Sequence, residues 1–440
     1  MRKPKPHFYR FPTAGLFTDY RNLPPTELNV FRAARAFLAF ADMDIQRMVG
    51  LLGAWPMLPV NLLTEPLPAW IKYNQAASAA FDTSALDQLR QCIRLALNDG
   101  PSPTGYYLAG IAEHRGAAEI GDYIHDQFHE TLIEFCRYAV EQLHGVQREL
   151  DDKLAFEENC RAHGLPCIET YLRVMPEGKV DQSGIGAMDR ARRAPSLFIK
   201  PARGGQGHGT ERWGRDSGAY TDANNQRLPD FDALMQHLIS RAAASDVDLL
   251  VQEAAVNTAD ITAFGGRALS TVRLVTFRTS DGVIRPVQAG TRIAANAEAI
   301  VDNYHAGGIY FHVDYRTGEI GTGTSMSFPA APEYLTRSPR SGITLTGSTV
   351  GGWSEIRNLA LQLHEKLTVH TIGGWDIALT GRGPVAVECN SVPGMPAPRQ
   401  RPFSGFLQTE YARLLRGEIA GFLDQMAPAD SRFRIGGKRL

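Results

Sequence analysis

The chain has 440 residues, 43% apolar and 21% charged, with a formal net charge of −1. That length gives room for two or three packed units and a sizeable core. The near-zero charge supplies no basic field of the kind a general nucleic-acid binder needs. Cys92, Cys136, Cys160, Cys167 and Cys389 are odd in number, dispersed and without zinc-like spacing, so they read as buried thiols in a reducing compartment. The N-terminus is basic but has no apolar core segment of a secretory signal. The stretch LLGAWPMLPVNLL (51–63) is short and interrupted by Pro56 and Pro59, which makes it a buried irregular segment and not a membrane span. The expectation is a cytoplasmic protein with small-molecule partners.

Helical signals dominate up to about residue 165. SALDQLRQCIRLAL opens on Ser84 with Asp87 three residues on, a capping pattern, and its Leu86, Leu89 and Ile93 keep helical spacing. HETLIEFCRYAVEQLHG continues as a helix stopped by Gly145, and DDKLAFEENCRAHG is a third, acidic at its start and closed by Gly164. Beyond residue 165, SLFIKP is a short apolar strand, PDFDALMQHLISRAAA an amphipathic helix and VDLLVQEAA a buried strand. The polar run DSGAYTDANNQRLPD (216–230) reads as a surface loop. Three hairpins follow: STVRLVTFRT with VIRPVQAGTR, IYFHVDY with IGTG, and GWDIALT with VAVECN about the turn GRGP. SEIRNLALQLHEKLTVH and FLQTEYARLLRGEIAGFLDQM are helices. Hairpins with helices laid beside them predict an α+β protein whose antiparallel sheets are covered on one face.

The last hairpin is the first candidate for chemistry. Glu388 and Asn390 are two residues apart on a strand and therefore point the same way. If the strands pair about GRGP, Asp376 comes close to Glu388 across the ladder. Two carboxylates side by side repel, and a hard cation removes that cost. Asp376, Glu388 and Asn390 thus suggest a Mg²⁺–nucleotide site, against the alternative of a solvated pair at a strand end. In LFIKPARGGQGHGT a strand delivers Lys200 to a loop with Gly204, Gly205, Gly207 and Gly209, where backbone N–H groups can approach phosphate. No GK[ST] follows, so this is not a Walker loop. Gln252 and Glu253 end a strand and could border a purine. Arg273 and Arg292 sit on strands and call for anionic partners, in a substrate or in a structural ion pair.

The order of these features resembles the ATP-grasp superfamily. Lys153 opens a helix, Lys200 precedes a glycine loop, Gln252–Glu253 follow, then an Arg–Asn–Gly-Gly segment, an Asp strand and Glu-x-Asn. DDKLAF, TVRLVT, VDNYHAGG and GWDIALTGRGPVAVECN, with the lead-in GYYLAG, resemble its sugar-transfer associated branch over roughly residues 100–400. The resemblance implies an ATP-grasp fold in which two α+β lobes clamp a nucleotide. An N-terminal mainly helical region would span 1–145, a small lobe 146–255 and a large lobe 256–440. By position, Lys153 and Lys200 would hold the phosphates of ATP, Gly204, Gly205, Gly207 and Gly209 would cover them, and Gln252 and Glu253 would border the adenine. Arg273 and Arg292 would act with Lys200 on the transferring phosphoryl and the acidic substrate. Asp376, Glu388 and Asn390 would hold two Mg²⁺, with Mn²⁺ as a substitute, and Asn303, His305, Gly307 and Gly308 would line the acceptor side. His208 at the loop tip departs from the pattern, and the first hundred residues match nothing familiar.

The implied activity is that of an ATP-dependent carboxylate–amine or carboxylate–thiol ligase in glycan or natural-product biosynthesis. It would work through an acylphosphate and release ADP and phosphate. Mg²⁺, lysine and arginine would offset the repulsion between two anions. The alternatives are a phosphotransferase acting on a hydroxyl and a nucleotide-binding module without catalysis. The last is disfavoured because Lys200, Arg292, Asp376, Glu388 and Asn390 are all present.

Overall fold

The computed structural model describes residues 14–41, 60, 64, 66–114, 120–145, 150–203, 209–259, 261–262, 268–294, 309–325, 336–338, 341–428 and 431–435. The apolar stretch 51–63 lies outside them apart from Val60.

The helical lead-in consists of α1 (Glu27–Ala41), α2 (Pro66–Phe81), α3 (Ala85–Leu97), α4 (Pro103–Leu108) and α5 (Asp126–His144). The caps expected at Ser84 and Gly145 are present: the Ser84 hydroxyl accepts from the Asp87 N–H at 3.1 Å, and Gly145 takes φ +84°. Asp152 caps α6 (Lys153–Ala162), accepting from the N–H groups of Leu154 and Ala155, both at 3.0 Å, and so fixes Lys153 in the first turn.

The first sheet is formed by β1 (Thr170–Val174), β2 (Val180–Gln182), β3 (Ser196–Pro201), β4 (Glu211–Asp216), β5 (Ala219–Asp222), β6 (Arg227–Leu228) and β7 (Leu249–Glu253), with α7 (Ala187–Arg193) and α8 (Phe231–Ser245). Its order is β2-β1-β7-β3-β4-β5-β6, antiparallel throughout. The apolar stripe of α8 (Phe231, Leu234, Met235, Leu238) packs with Trp213, Leu197 and Val251 into one core. The 216–230 segment is not a plain surface loop. It supplies β5 and β6, because Tyr220 is fully buried in that core and its hydroxyl donates to the Arg192 carbonyl at 3.0 Å. Its polar residues make the turn, with Asp222 Oδ1 accepting from the N–H groups of Asn224 and Gln226.

The second sheet is β8 (Thr271–Arg278), β9 (Ile284–Ile293), β10 (Ile309–Val313), β11 (Ile320–Ser325), β12 (Ile372–Thr380) and β13 (Gly383–Asn390), in the order β11-β10-β9-β8-β12-β13. Around it lie α9 (Trp353–Leu367), α10 (Ala397–Gln400) and α11 (Glu410–Met426). The last helix begins at Glu410, later than its apolar run suggests, because Thr409 caps it and Phe406–Gln408 form a separate 3₁₀ turn.

This sheet is covered on both faces, where hairpin patterning predicted one. Val272, Leu274, Trp375 and Ile377 face α9, whereas Val275, Phe277 and Ile372 pack against α1, α5 and α11. The second layer is only partial along the sheet, and the uncovered part of that face carries the polar residues described next. No helix among the described residues is long and apolar enough to cross a membrane, and all five cysteines are free.

Candidate active site

One cross-strand row crosses the second sheet. His312 on β10 pairs with Gly290 on β9, Gly290 with Arg273 on β8, Arg273 with Asp376 on β12, and Asp376 with Glu388 on β13. Directly paired residues project to the same face, so the register alone sets a guanidinium and two carboxylates side by side. Arg292, two residues from Gly290, shares that face. Between Asp376 and Ile377 the β12–β13 register shifts, an irregularity of the kind that re-aims side chains beside a site.

Asp376 is held by both arginines. Its side chain is 1% exposed; Arg273 donates through Nε to Oδ1 and through Nη2 to Oδ2, both at 2.7 Å. Arg292 Nη2 donates to Oδ2 at 2.7 Å and to the Thr271 hydroxyl at 2.8 Å. Burial works to raise the Asp376 carboxyl, but the two guanidiniums overrule it and hold the group well below the usual carboxylate range. Glu388 moves the other way. Burial and then the charge on Asp376 push it up, with Lys200, Arg273 and Arg292 offsetting only part.

From the first sheet, Lys200 near the end of β3 reaches the same place. It is buried, and burial pulls its pKa down to about 8; the field of Glu388 opposes that fall, and Lys153 adds to it. Lys153 donates to the Pro201 carbonyl at 3.3 Å, and its ammonium is likewise lowered by burial and supported by Glu388. Glu388 therefore interacts with Lys200 of the first sheet and with Lys153 of α6, a helix whose Phe156 and Cys160 pack in the core of the second sheet, as well as with the Asp376–arginine cluster. Asn390 lies opposite Gly374, on the Glu388 side of the strand. A Cβ on Gly374 would be 2.8 Å from Pro393, so the bare backbone there lets the chain after Asn390 fold back. The Asn390 amide nitrogen is buried and has no partner among the described residues.

The remaining sequence candidates are placed as follows. Gln252 is buried and donates to Thr170 Oγ1 at 2.8 Å within the first sheet. Glu253 accepts from the Glu169 N–H at 3.2 Å and pairs with Arg382, in the β12–β13 turn, at 2.5 Å. It ties the two lobes together away from the acidic pair. Gly209 has φ +69°, and its carbonyl accepts from the Arg241 guanidinium; a Cβ there would meet Pro201 at 3.2 Å. It closes the base of the glycine segment against the end of β3. Gly204, Gly205, Gly207 and His208, and likewise Asn303, His305, Gly307 and Gly308, lie outside the described residues.

Sequence reasoning passed over Asp151, Tyr310 and Arg399. Asp151 Oδ1 accepts from the Ser391 N–H at 2.8 Å and so anchors the segment after Asn390. Tyr310 pairs with Arg292 across β9–β10. Arg399 is buried beside Tyr310, and the one signal for it was a basic residue inside the proline-rich run PGMPAPRQ.

Two antiparallel sheets with flanking helices, Lys200 of the first meeting the acids and arginines of the second, form an ATP-grasp arrangement. Residues 145–400, more than half of the 440, match the sugar-transfer associated ATP-grasp family, and the chain belongs to that family. No curated protein matches the sequence. Among solved structures, the VanG D-Ala:D-Ser ligase from Enterococcus faecalis is 14% identical, with a TM-score of 0.36, over 61% of this chain and 62% of that one. D-alanyl-alanine synthetase A from Vibrio cholerae O1 is 14% identical, with a TM-score of 0.37, over 62% and 66%. A D-alanine–D-alanine ligase from Bacillus anthracis complexed with ATP is 10% identical, with a TM-score of 0.36, over 71% and 80%. The chain covers less than two thirds of the length of the first two, and at these scores the likenesses carry no argument about activity.

Proposed function

We propose that this ATP-grasp enzyme is a carboxylate–amine, or carboxylate–thiol, ligase that activates its acid as an acylphosphate and releases ADP and phosphate. The observation that supports the reading is the convergence of Lys200 from the first sheet and Lys153 from α6 with Arg273, Arg292, Asp376 and Glu388 of the second sheet. Four cations around two acids leave a positive excess, suited to a triphosphate and a substrate carboxylate. On this reading residues 146–255 supply the lysine-bearing lobe and 256–440 the acid-bearing lobe, with 1–145 as a helical addition to it.

A divalent cation fits part of this cluster. Among the described residues no three His, Cys, Asp or Glu side chains gather as a ready-made site. Glu388, however, is raised by burial and by Asp376, which a nearby cation would relieve, and the Asn390 amide lacks a partner. Oδ2 of Asp376 is taken by both arginines and Oδ1 by Arg273, and Asp376 shares a hydrogen bond with the Glu388 carboxyl that a cation would displace. Glu388 and Asn390, with Asp376 Oδ1, would hold Mg²⁺, which when bound would neutralise phosphate oxygens.

The chain's own residues account for the rest. Lys200 and Lys153 neutralise the phosphates, and Lys200, with its pKa at about 8, is mostly charged at neutral pH. Arg273 and Arg292 are oriented by Asp376, which holds both guanidiniums in place as the positive wall for an incoming carboxylate. A substrate carboxylate oxygen bonds to the γ-phosphorus as the bond to ADP breaks. The amine nitrogen or thiolate sulfur then bonds to the acyl carbon, phosphate leaves with the former carboxylate oxygen, and the nucleophile's proton is lost to solvent. No enzyme nucleophile is required.

The test is ADP release measured across carboxylic acids crossed with amines and thiols. Phosphate that appears only when acid and nucleophile are both present supports the ligase. A stable phosphate ester with no free phosphate would replace it with a phosphotransferase.

A further inference from the structure

Arg399 has no role in the steps above, yet it is built into the same face. It lies in α10, is 9% exposed, and its guanidinium carbon sits 4.7 Å from the centre of the Tyr310 ring. Tyr310 is cross-strand from Arg292, and its ring fills the space left open at Gly290, the residue paired with Arg273. Arg399 is thus one ring away from the arginine pair. Its Nη1 donates to the Gly394 carbonyl at 2.9 Å, while its Nε is buried without a partner among the described residues. No carboxylate among them lies within ion-pair distance of it.

Arginine 399 is also the third guanidinium in a neighbourhood with one committed carboxylate. Asp376 is shared between Arg273 and Arg292. The groups that shape the charge on Arg399, after burial, are Tyr310, Arg273, Arg292 and Asp126. Asp126 is itself engaged, accepting from the Met395 N–H at 2.8 Å. The groups around Lys200 are instead Glu388, Lys153 and Glu157. The strand order sets Arg399 and Tyr310 at β10, Arg292 and Arg273 on β9 and β8, and Asp376 and Glu388 on β12 and β13, so Arg399 stands on the far side of the arginine pair from the acids. A desolvated guanidinium with an unpartnered Nε in such a place is complementary to an anion from outside the chain.

We propose that Arg399 binds a carboxylate of the substrate that does not itself react, so that the ligase takes a substrate carrying an additional acidic group. This rests on the ligase reading, which assigns the lysine end to the nucleotide and the reacting carboxylate to Arg273 and Arg292. Tyr310 holds the guanidinium face, and the Gly394 carbonyl fixes one edge. The Nε donor is buried and has no partner among the described residues, and it is the donor a carboxylate would take.

The experiment uses the full chain and its Arg399→Gln and Arg399→Lys variants, titrated calorimetrically with Mg-ADP. Malonate, acetate and inorganic phosphate are then titrated with and without saturating Mg-ADP. Far-UV circular dichroism and the unfolding midpoint without ligand establish that each variant is folded. The expected result is Mg-ADP affinity within twofold in all three proteins. Malonate and acetate should bind at least tenfold more weakly to Arg399→Gln, with partial recovery in Arg399→Lys. Unchanged malonate and acetate affinity in Arg399→Gln overturns the proposal. So does an equal loss of Mg-ADP binding, which would assign the residue to the nucleotide or the fold, and so does a loss confined to inorganic phosphate. If the wild-type chain bound no Mg-ADP, the ligase reading would fall, while the nucleotide-free titrations would still report on Arg399.

Discussion

Asp376 and Glu388 face each other across β12 and β13, and their carboxyls are driven in opposite directions. The asymmetry comes from who reaches them. Asp376 receives three charge-assisted hydrogen bonds from two arginines, whereas Glu388 receives burial and the field of a neighbouring anion. A like-charged pair commonly resolves itself this way, one member ionised and the other raised. Here it leaves Glu388 as the acid with coordination to offer.

Replacing Glu388 by Ala or Gln is expected to lower turnover by about 10²-fold or more, the scale of removing a preorganised electrostatic contact. The unfolding midpoint should remain close to that of the wild type, because the substitution removes a carboxyl whose charged form is disfavoured by burial and by the neighbouring Asp376. ADP release and thermal unfolding check this, and a fully active Glu388→Ala enzyme would refute the metal assignment.

Lys200→Ala should weaken Mg-ADP binding by about tenfold to a hundredfold, since a charge-assisted hydrogen bond contributes about 1.5–3 kcal/mol. Calorimetric titration measures it. Nucleotide affinity unchanged by the substitution would remove Lys200 from the phosphate site.

The same lysine predicts a pH dependence. Burial lowers its pKa to about 8 in the free protein, and an anion favours the charged form, so binding raises it. Affinity for Mg-ADP is therefore full below pH 8 and falls by up to about tenfold per unit as the pH rises above it. Lys200→Arg, charged throughout, should abolish the slope between pH 7 and 9.5.

Asp376→Asn strands two partly buried guanidiniums. Breaking a buried pair by removing one partner costs about 3–5 kcal/mol, so denaturant unfolding should shift by that order. The folded-state pKa of Asp376 lies below that of an ordinary aspartate, about 3.9, so its contribution is complete above about pH 4 and is lost as the pH falls further. The variant should show a shallower loss of stability in acid than the wild type.

A Cβ added at Gly290 would sit 2.2 Å from the Tyr310 ring, a distance at which the ring must move. Gly290→Ala is expected to cost about 1–3 kcal/mol of stability, as overpacking does. It should also displace the ring on which Arg399 rests, with a change in the near-UV circular dichroism of the tyrosines. A variant as stable as the wild type with an unaltered spectrum would contradict the packing at this row.

The last hairpin was readable because its turn fixes its register. GRGP set Asp376 opposite Glu388, and a period of two put Asn390 beside them. The lysines were found from their places at a helix start and a strand end. The partnership of Arg273 and Arg292 with Asp376 was not readable, since it joins positions 103 and 84 residues apart and depends on strand order, which no local pattern contains. Tyr220 was hidden in a polar run because a single buried aromatic anchors that segment. Arg399 was hidden because proline-rich chain has no periodicity from which a direction can be read.

The helices α1 and α5 and the one that begins at Glu410 share a single interior with Val275, Phe277 and Ile372 of the second sheet. Cutting the chain at the limits of its family match would strip α1, α5 and α11 from those strands and leave an oily surface in contact with water. Such a fragment would self-associate before it could be assayed. Any attempt to isolate the nucleotide-handling portion therefore has to carry both flanks with it.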